Sequence, residues 1–384
     1  MKWFSYILIA AVAFVLAVAI VGADDLGADT YDISDGIDTP DSTSYTTYYD
    51  QLNDLEKSVY KAMEQSISKM GSKFKISNIS IDGFKKAAQR VGEALQYDHP
   101  EYFWFTGGYL YSYPVSEDYG TVTVEPKYYQ YASAMFDYKD KQSQLQSRVE
   151  EVAALARQHS SDDFERIMFV HDYLIKNAIY DHDALDEYYK TTRSPSCEYI
   201  FSAYGCLVNG KTVCSGYAKA FQLIMNYMGY DCSYVVGDAG EAHGWNCIYL
   251  DGEGYFVDVT WDDADFDKET PLYNYAFITS GALSKTHRID MPFQTPVCNA
   301  EKYNYFIKNG YYLEKYDRAA AARILASQKG NRGAYIQLGS KEALSQAKQE
   351  LTNMAILKYI DGMEKAYRVS YNLDHCTLSI LLKD

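Results

Sequence analysis

The residue with the clearest chemical potential is Cys214, which lies in the stretch Gly210–Ala218 among small residues. Downstream of it, apolar residues recur every three or four positions as far as Met228, a spacing that predicts a helix ending at Gly229. Cys214 would then stand at the start of that helix, where unpaired backbone N–H groups and the helix dipole favour a thiolate. The context predicts a nucleophile, and the alternative is a buried structural thiol.

Two further reactive residues, His243 and Asp258, lie on either side of a predicted β-hairpin. Its two β-rich runs flank Asp251-Gly252, a pair typical of a two-residue hairpin turn. With that turn, His243 faces Thr260 and is a diagonal neighbour of Asp258 on the same face of the hairpin. A one-residue slip in register would put the imidazole and the carboxylate on opposite faces.

Cysteine, histidine and aspartate in this order supply a nucleophile, a base and a carboxylate that orients the base. The three motifs around them, VCSGYAKAF, HGWN and DVTWDD, resemble the transglutaminase-like superfamily of cysteine enzymes, specifically its bacterial and archaeal exported branch, over residues 160–290. The resemblance implies a papain-like α+β core in which the helix bearing Cys214 packs on an antiparallel sheet. It also implies acyl transfer through a thioester, and no cofactor is expected.

A thioester mechanism also needs hydrogen-bond donors for the tetrahedral oxyanion. The backbone N–H of Cys214 is one donor. The related enzymes use a Trp or Gln upstream of the cysteine, and neither stands at the expected position here, so Tyr204 and Asn209 are the candidates for the second donor. Trp245 and Trp261, which neighbour the predicted base and carboxylate, are candidates for lining a substrate groove.

The other histidines near these motifs are predicted to be structural. His171 lies on a helical pattern and has no matching ligand four residues on, His287 is assigned to packing at the rim of the site, and His99 and Trp104 are assigned to the core and a turn. The sequence contains no CxxC pair and no His-rich or paired-carboxylate ligand set. No metal site is therefore predicted, and a metal-dependent hydrolase ranks third among the functions considered.

The composition is that of a folded, acidic protein. Its 384 residues suffice for two or three domains, and a hydrophobic fraction of 47% is ordinary. The net charge of −16 argues against binding of nucleic acid, which requires basic patches. The 39 tyrosines are unusual; they fit aromatic core packing better than a surface for polymer or carbohydrate contact, which stays an alternative.

The N-terminus carries an apolar run over residues 4–21, after Lys2 and before Val21-Gly22-Ala23. This pattern predicts a signal peptide cleaved before Asp24, although the run is also just long enough for an uncleaved membrane anchor. Both alternatives put the body of the protein outside the cytoplasmic membrane, with membrane contact only through this segment. The odd count of seven cysteines leaves a free thiol in an exported protein, for which Cys214 is the candidate; the other six are either disulfide-bonded or buried thiols.

Five segments are predicted along the chain. Residues 1–23 are the signal peptide or anchor, 24–50 an acidic disordered linker, 51–150 an N-terminal α+β domain, 151–300 the catalytic domain and 301–384 a small C-terminal α/β module. The linker assignment rests on eight aspartates without Lys or Arg. Helices are predicted over 51–70, 82–96, 127–158 and 341–365, a strand in the aromatic run 102–105, and a loop over 186–200 that overhangs the site.

Together these features predict an exported cysteine acyltransferase or peptidase that acts on peptide or glutaminyl amides at the cell surface. Its expected partner is a protein or peptide substrate, with cell-wall peptide as one candidate. An amine acceptor would give cross-linking and water would give hydrolysis, and the three residues alone do not distinguish these outcomes. The alternative from another class is a non-catalytic binding module on the same fold, which the missing upstream Trp or Gln favours.

Overall fold

The computed structural model describes residues 16–17, 29–33, 47–114, 118–129, 138–190, 195–263, 270–353 and 357–382. In chain order the elements are β1 (Leu16–Ala17), β2 (Asp29–Asp32), α1 (Asp54–Ile67), β3 (Phe74–Ser80), α2 (Ile81–Asp98), β4 (Phe105–Ser112), β5 (Tyr119–Tyr128), α3 (Tyr138–His159), α4 (Asp163–Asn177), β6 (Ile179–Tyr180), α5 (His182–Lys190), β7 (Lys211–Thr212), α6 (Cys214–Met228), β8 (Cys232–Asp238), β9 (Ala242–Leu250), β10 (Glu253–Val257), α7 (Val259–Asp262), α8 (Ser280–Leu283), β11 (Arg288–Ile289), α9 (Tyr305–Lys308), β12 (Tyr312–Leu313), α10 (Arg318–Ser327), β13 (Gly333–Leu338), α11 (Lys341–Leu351), β14 (Ala366–Asn372) and β15 (Thr377–Leu382). Apart from β1, the predicted signal peptide or anchor lies outside the described residues. No helix in the described ranges is long and apolar enough to cross a membrane.

The N-terminal unit is a five-stranded sheet in the order β1-β4-β5-β3-β2, with α1 and α2 packed against it. The aromatic run after α2, predicted as a strand, contributes only Phe105 to β4. Residues 102–104 instead form a turn, in which Tyr102 N–H donates to the His99 carbonyl and Phe105 N–H to the Tyr102 carbonyl. The turn lets Trp104 enter the core, where its indole N–H donates to the carbonyl of Ile67.

Parts of the acidic segment predicted as a disordered linker are ordered against this unit. Strand β2 pairs in parallel with β3, and its Tyr31 ring contacts the Phe74 ring at a centroid distance of 5.7 Å. Tyr48 is buried, and its N–H donates to the Asp98 carboxylate at 3.0 Å. The prediction of disorder is wrong for these parts. The average hydrophobicity of segment 24–50 is low, but Tyr31 and Tyr48 supply aromatic surface that packs against the N-terminal unit. Residues 24–28 and 34–46 lie outside the described ranges.

Two predicted helices and one predicted loop also need correction. Strand β5 runs to Tyr128 and pairs with β4, so the helix predicted from residue 127 begins instead at Tyr138. That helix, α3, crosses the domain boundary predicted at residue 150. The first part of the loop predicted over 186–200 belongs to helix α5, which runs from His182 to Lys190. Helix α11 ends at Leu351 rather than at residue 365. Residues 191–194 lie outside the described ranges.

The centre of the molecule is a four-stranded antiparallel sheet in the order β10-β9-β8-β11, with helix α6 packed on it. This arrangement confirms the predicted α+β class with a cysteine-bearing helix on an antiparallel sheet. Helix α6 runs from Cys214 to Met228 and ends at Gly229, whose positive φ of 95° is the left-handed conformation expected of a C-terminal glycine. Both predicted ends of the helix are confirmed.

The predicted hairpin register is confirmed between β9 and β10. Leu250 pairs with Glu253, and the pairing continues to Asn246 and Val257. Asp251 and Gly252 both have positive φ, as a tight hairpin turn between right-twisted strands requires. The pairing stops one residue before Asp258, the N-cap of α7, so His243 does not face Thr260 as a continued strand would have required.

The C-terminal module is a separate four-stranded sheet in the order β12-β13-β15-β14, packed against α10 and α11 around its own apolar core. It contacts the central domain through the segment after α7. The Tyr335 hydroxyl donates to the Pro271 carbonyl at 2.8 Å, and Thr377 hydrogen-bonds to Asn274. The module thus helps to hold the aromatic segment that follows the predicted carboxylate.

Candidate active site

Cys214 is the first residue of α6, with Val213 in extended conformation before it. The Gly216 and Tyr217 N–H groups donate to the Val213 carbonyl at 3.0 and 3.1 Å, and the positive end of the helix dipole lies at Cys214. Gly216 follows because a Cβ there would overlap the Thr212 hydroxyl and the Ile200 carbonyl. The glycine therefore allows the chain that precedes the helix to pack closely against its first turn. Cys214 itself remains half-buried.

His243 lies near the start of β9, and the HGWN motif explains how its strand meets the helix of Cys214. Gly244 leaves room for the Tyr234 ring of β8, which a Cβ at this position would strike. The Asn246 side-chain amide donates to the Ala218 carbonyl of α6 at 2.9 Å and to the Ser233 carbonyl at 3.3 Å. This buried amide therefore fixes β9 against α6 and β8 together.

Asp258 is buried at the point where β10 ends and α7 begins. Its Oδ1 atom accepts the Trp261 N–H at 3.1 Å as a helix N-cap, which fixes the orientation of the carboxylate. Its Oδ2 atom lies 2.7 Å from Nε2 of His243. The predicted base and carboxylate are thus in contact, but through a strand-to-helix transition rather than across a continued hairpin.

The His243 imidazole is also a neighbour of Cys214, which interacts with it electrostatically. Because Nε2 is bonded to Asp258, Nδ1 is the nitrogen available to the sulfur. Burial lowers the pKa of His243, but the Asp258 carboxylate and Cys214 outweigh burial and hold that pKa well above its ordinary value. The imidazole is therefore held as a cation beside the Asp258 carboxylate.

A second imidazole contacts the same carboxylate. His287, predicted as packing at the rim, is buried, and its Nε2 atom lies 3.1 Å from Asp258 Oδ2. Its Nδ1 atom lies 2.8 Å from the hydroxyl of Thr286, which leaves Nε2–H to donate to the carboxylate. Burial raises the pKa of Asp258, but the donors from His243 and His287 bring it well below its ordinary value. Asp258 therefore stays ionised.

The two tryptophans cover this imidazole pair. Trp245 is fully buried, stacks near His243 at a centroid distance of 6.0 Å and meets His287 edge-on at 4.9 Å. Trp261 is partly exposed and lies 4.6 Å from His287. Trp245 has no surface left for a substrate, so its placement does not fit the groove role predicted for it. Both rings exclude water from the His–Asp contacts, and only Trp261 retains exposed surface beside them.

The two predicted oxyanion donors lie in the segment before Cys214. The Tyr204 hydroxyl donates to Gln144 of α3 at 3.2 Å, so this donor is committed elsewhere. Asn209 is exposed at the end of the π-helical segment Gly205–Asn209. A residue that sequence reasoning passed over, Tyr234, is buried near Cys214, whose charge adds to burial in raising the pKa of Tyr234. Its hydroxyl has no hydrogen-bond partner among the residues described.

Lys219, one turn into α6, is a second group that the sequence reasoning missed. It is buried near Cys214 and above the Tyr234 ring, with the Phe201 carbonyl as acceptor at 3.3 Å. Among the described residues, no carboxylate lies within ion-pair distance of it. Burial lowers the pKa of Lys219 to about 8, although Cys214 partly offsets this effect. Lys219 lies on the same helix as Cys214, but only the packing of α6 against β8 buries it over the Tyr234 ring.

A cluster of charged side chains around the buried His171 holds α7 in place. His171 of α4, predicted as structural, lies 3.2 Å from Asp262 and 3.0 Å from Asp172. Burial lowers the pKa of His171, but the two carboxylates raise it to about 9 overall. Asp262 also accepts the Tyr275 N–H at 2.9 Å, so the cluster ties α7 to α4 and to the aromatic segment. The cluster therefore fixes α7, the helix that Asp258 caps. The cluster itself does not contact Cys214.

His243, Asp258 and His287 also place three potential metal-ligand atoms within 4.8 Å of one another. Two imidazoles and a carboxylate are a donor set that Zn²⁺ and related ions accept. A metal would have to replace both imidazole N–H protons that now bind Asp258, so it would compete with the hydrogen bonds described above. These contacts satisfy all three residues without an ion, and the prediction of no metal site stays a prediction.

Comparison with known proteins identifies the central part of the chain. Residues 150–259 match the model of the transglutaminase-like superfamily, so the chain contains a domain of this type, and the matched range includes all three predicted catalytic residues. The kyphoscoliosis peptidases of Mus musculus and Homo sapiens are each 28% identical over 165 residues, which cover 38% of this chain and 24% of theirs. The chain thus spans about a quarter of the length of these relatives. A solved structure described as a TGase matches 49% of this chain and 50% of its own at 12% identity, with a TM-score of 0.28.

Proposed function

We propose that the protein is a cysteine acyl-transfer enzyme that acts on peptide or glutaminyl amides through Cys214, His243 and Asp258. The observation that carries this proposal is that the His243 imidazole, a neighbour of Cys214, lies 2.7 Å from the Asp258 carboxylate. The transglutaminase-like domain supports it, because this superfamily includes acyltransferases and cysteine peptidases. Tyr234 and Lys219, both near the sulfur, add a donor and a positive charge.

The proposed reaction begins when the Cys214 thiolate attacks the carbonyl carbon of the amide. The carbonyl oxygen becomes an oxyanion that accepts hydrogen bonds from the Cys214 backbone N–H and the Tyr234 hydroxyl. As the C–N bond breaks, the Nδ1–H of His243 protonates the leaving amine, which leaves a thioester on Cys214. An amine or water then attacks the thioester, gives its proton to His243 and releases the thiolate. Asp258 stays ionised throughout and stabilises the imidazolium whenever His243 carries the extra proton, before the C–N bond breaks and after the acceptor gives up its proton.

A mass-spectrometric assay tests the reaction. Residues 24–384 are incubated with a mixed peptide library and a primary amine, with Cys214→Ala as the matched control. Amine incorporation at Gln that requires Cys214 supports a transglutaminase, and cleaved or deamidated peptides without amine adducts support a hydrolase. Iodoacetamide labelling at pH 6 provides a substrate-free measurement, because an imidazolium beside the sulfur should make Cys214 the most reactive of the seven thiols.

The second candidate function is a non-catalytic binding module. The absence of the Trp or Gln expected upstream of Cys214 favours it. In that case Cys214 should react no faster with iodoacetamide than the other thiols, and no product in the peptide assay should depend on it. Both results together would overturn the enzyme proposal, because a substrate missing from the library cannot explain an unreactive thiol.

We also propose that the protein is exported and acts at the cell surface. The apolar run over residues 4–21 and the small residues before Asp24 support this proposal. N-terminal sequencing of the protein recovered from a secreting host tests it. A mature N-terminus at Asp24 indicates a cleaved signal peptide, an intact N-terminus in the membrane fraction indicates an anchor, and full-length protein in the soluble cytoplasmic fraction contradicts export.

A further inference from the structure

Two buried cysteines on different segments lie in contact beside the candidate site. The sulfur of Cys247, on β9, is 3.8 Å from the sulfur of Cys298, in the segment after β11. Both residues are almost completely enclosed in an apolar cluster that includes Trp245 and Phe256. A disulfide requires a separation of about 2.05 Å, so each sulfur would move by only about 0.9 Å.

Strand β10 leaves room for the contact between Cys247 and Cys298. Gly254 on β10 pairs with Tyr249, and a Cβ at Gly254 would lie only 3.0 Å from the Cys298 sulfur. Cys247 pairs with Phe256 two residues further along β10, so its side chain projects to the same face of the sheet as position 254. The glycine therefore leaves the space that Cys298 occupies beside Cys247.

The backbone around Cys298 is held in position by two hydrogen bonds. The Cys298 N–H donates to the Ser280 hydroxyl at 2.9 Å, and the Ser280 N–H donates to the Cys298 carbonyl at 2.8 Å. Ser280 is the first residue of α8, which leads directly to His287. Cys247 is equally fixed, because it lies within the paired region of β8, β9 and β10. Both sulfurs are thus presented to each other by ordered backbone.

We propose that Cys247 and Cys298 form an intramolecular disulfide when the protein folds in the presence of a protein or small-molecule disulfide such as oxidised glutathione. The bond would join β9, which carries His243, to the segment after β11, which is hydrogen-bonded to Ser280 at the start of the helix that leads to His287. It is distinct from the proposed acyl-transfer chemistry, because neither sulfur belongs to Cys214. It also selects one pair from the six cysteines whose pairing the sequence leaves open.

The electron balance is that of ordinary thiol–disulfide exchange. The Cys298 thiolate attacks one sulfur of the oxidant, releases a thiolate and forms a mixed disulfide. The Cys247 thiol then loses its proton and attacks the Cys298 sulfur, which releases the second half of the oxidant as a thiol. Two protein thiols are oxidised and one external disulfide is reduced. The hydrogen bond from Cys247 lowers the pKa of Cys298 and raises the pKa of Cys247, which supports Cys298 as the attacking residue.

The bond would act on the geometry of the candidate site. His243 and His287 reach Asp258 from two segments that are otherwise held together by packing and hydrogen bonds. A covalent link between these segments restricts the unfolded chain and keeps both imidazoles on the carboxylate. The oxidised protein should therefore melt several degrees higher than the reduced protein.

Thiol counting and peptide mapping of the full chain test the proposal. The protein is denatured, refolded in glutathione buffers of increasing oxidation, quenched with acid and alkylated under denaturing conditions. Oxidation should lower the free thiols from seven to five, and the non-reduced map should contain one cross-linked peptide that joins Cys247 to Cys298. Seven remaining thiols in the most oxidising buffer, or a different cross-linked pair, would overturn the proposal.

Two variants provide matched controls. Cys298→Ser should give no cross-linked peptide in any buffer, whereas Cys232→Ser, which removes a buried cysteine on the adjacent strand, should still give the Cys247–Cys298 cross-link. Iodoacetamide labelling of Cys214 in the oxidised wild type separates the proposals. A cross-link with an unreactive Cys214 supports the disulfide alone, and a reactive Cys214 without the cross-link supports the acyl-transfer proposal alone.

Discussion

The Nε2 atom of His287 lies 3.1 Å from Oδ2 of Asp258, so the orienting carboxylate of the candidate site is shared between two imidazoles. Together with the Trp261 N–H, they give the buried carboxylate three donors. A buried carboxylate is costly unless such donors compensate for lost hydration. We therefore predict that His287 acts through Asp258 as a positioning residue.

Substitution His287→Ala should lower kcat of the Cys214-dependent reaction about tenfold with little change in KM, because one charged hydrogen bond to Asp258 is lost. His287→Gln, whose amide can still donate to Oδ2, should recover part of the rate. Steady-state kinetics with iodoacetamide labelling at pH 6 measure both effects. His182→Ala, at an exposed position on α5, is the control. Equal rates for all three variants would show that Asp258 needs no second imidazole.

Substitution Tyr234→Phe should lower kcat about a hundredfold, because removal of one oxyanion donor typically costs this much. Labelling of Cys214 by iodoacetamide should not change, since alkylation develops no oxyanion. Tyr204→Phe is the matched control, because its hydroxyl is bonded to Gln144. If Tyr204→Phe lost activity and Tyr234→Phe kept it, the residue nearer in sequence to Cys214 would be the donor after all.

The rate should fall as pH rises through about 8, where Lys219 loses its proton and its positive charge beside Cys214. Because the pKa of this lysine is below its ordinary value of 10.5, the charged form prevails only below about pH 8. The pH profile of kcat/KM in the wild type should show this alkaline limb. In Lys219→Met the rate should be lower at pH 7 and the limb should disappear. Lys211→Met, which changes a lysine at an exposed position, is the control and should retain the alkaline limb. If the alkaline limb persisted in Lys219→Met, the titration would belong to another group.

Folding stability should depend on pH through His171, whose pKa is about 9 in the folded protein against an ordinary value of 6.5. Because the folded state binds this proton more tightly, the stabilisation is complete below pH 6.5 and is lost as pH rises through about 9. Urea unfolding of the wild type and His171→Gln at pH 6, 7.5 and 9 measures the free energy of unfolding. The difference between the two proteins should shrink with rising pH, and a constant difference would contradict the assigned charge.

Local features of the sequence predicted much of the central domain. The turn residues Asp251-Gly252 and the period-two pattern around them fixed the hairpin register, because positive φ and strand alternation are local properties. The ends of α6 followed equally from apolar spacing and from Gly229. By contrast, the wrong start of α3 and the missed helix α5 lie in polar stretches, where propensity is weak and strand pairing or packing decides.

The side chains that surround Cys214 were predicted less completely. Tyr204 was chosen as an oxyanion candidate because it lies close in sequence to the cysteine, whereas Tyr234 lies close in space. His287 follows Asp258 by 29 residues, in a segment with little regular structure. Neither residue has a motif of its own, so only the packing of β8 and of the segment after α7 brings them to the site.

By itself, the sequence determined the nucleophile, base and carboxylate candidates, the helix and hairpin that carry them, and the α+β class, because these depend on residue type, short spacing and turn chemistry. Only the tertiary structure decided which other groups meet them. Two imidazoles on Asp258, a tyrosine near Cys214, and two cysteines in contact all arise from segments far apart in the chain. Such contacts depend on how whole elements pack, a long-range property that no local pattern encodes.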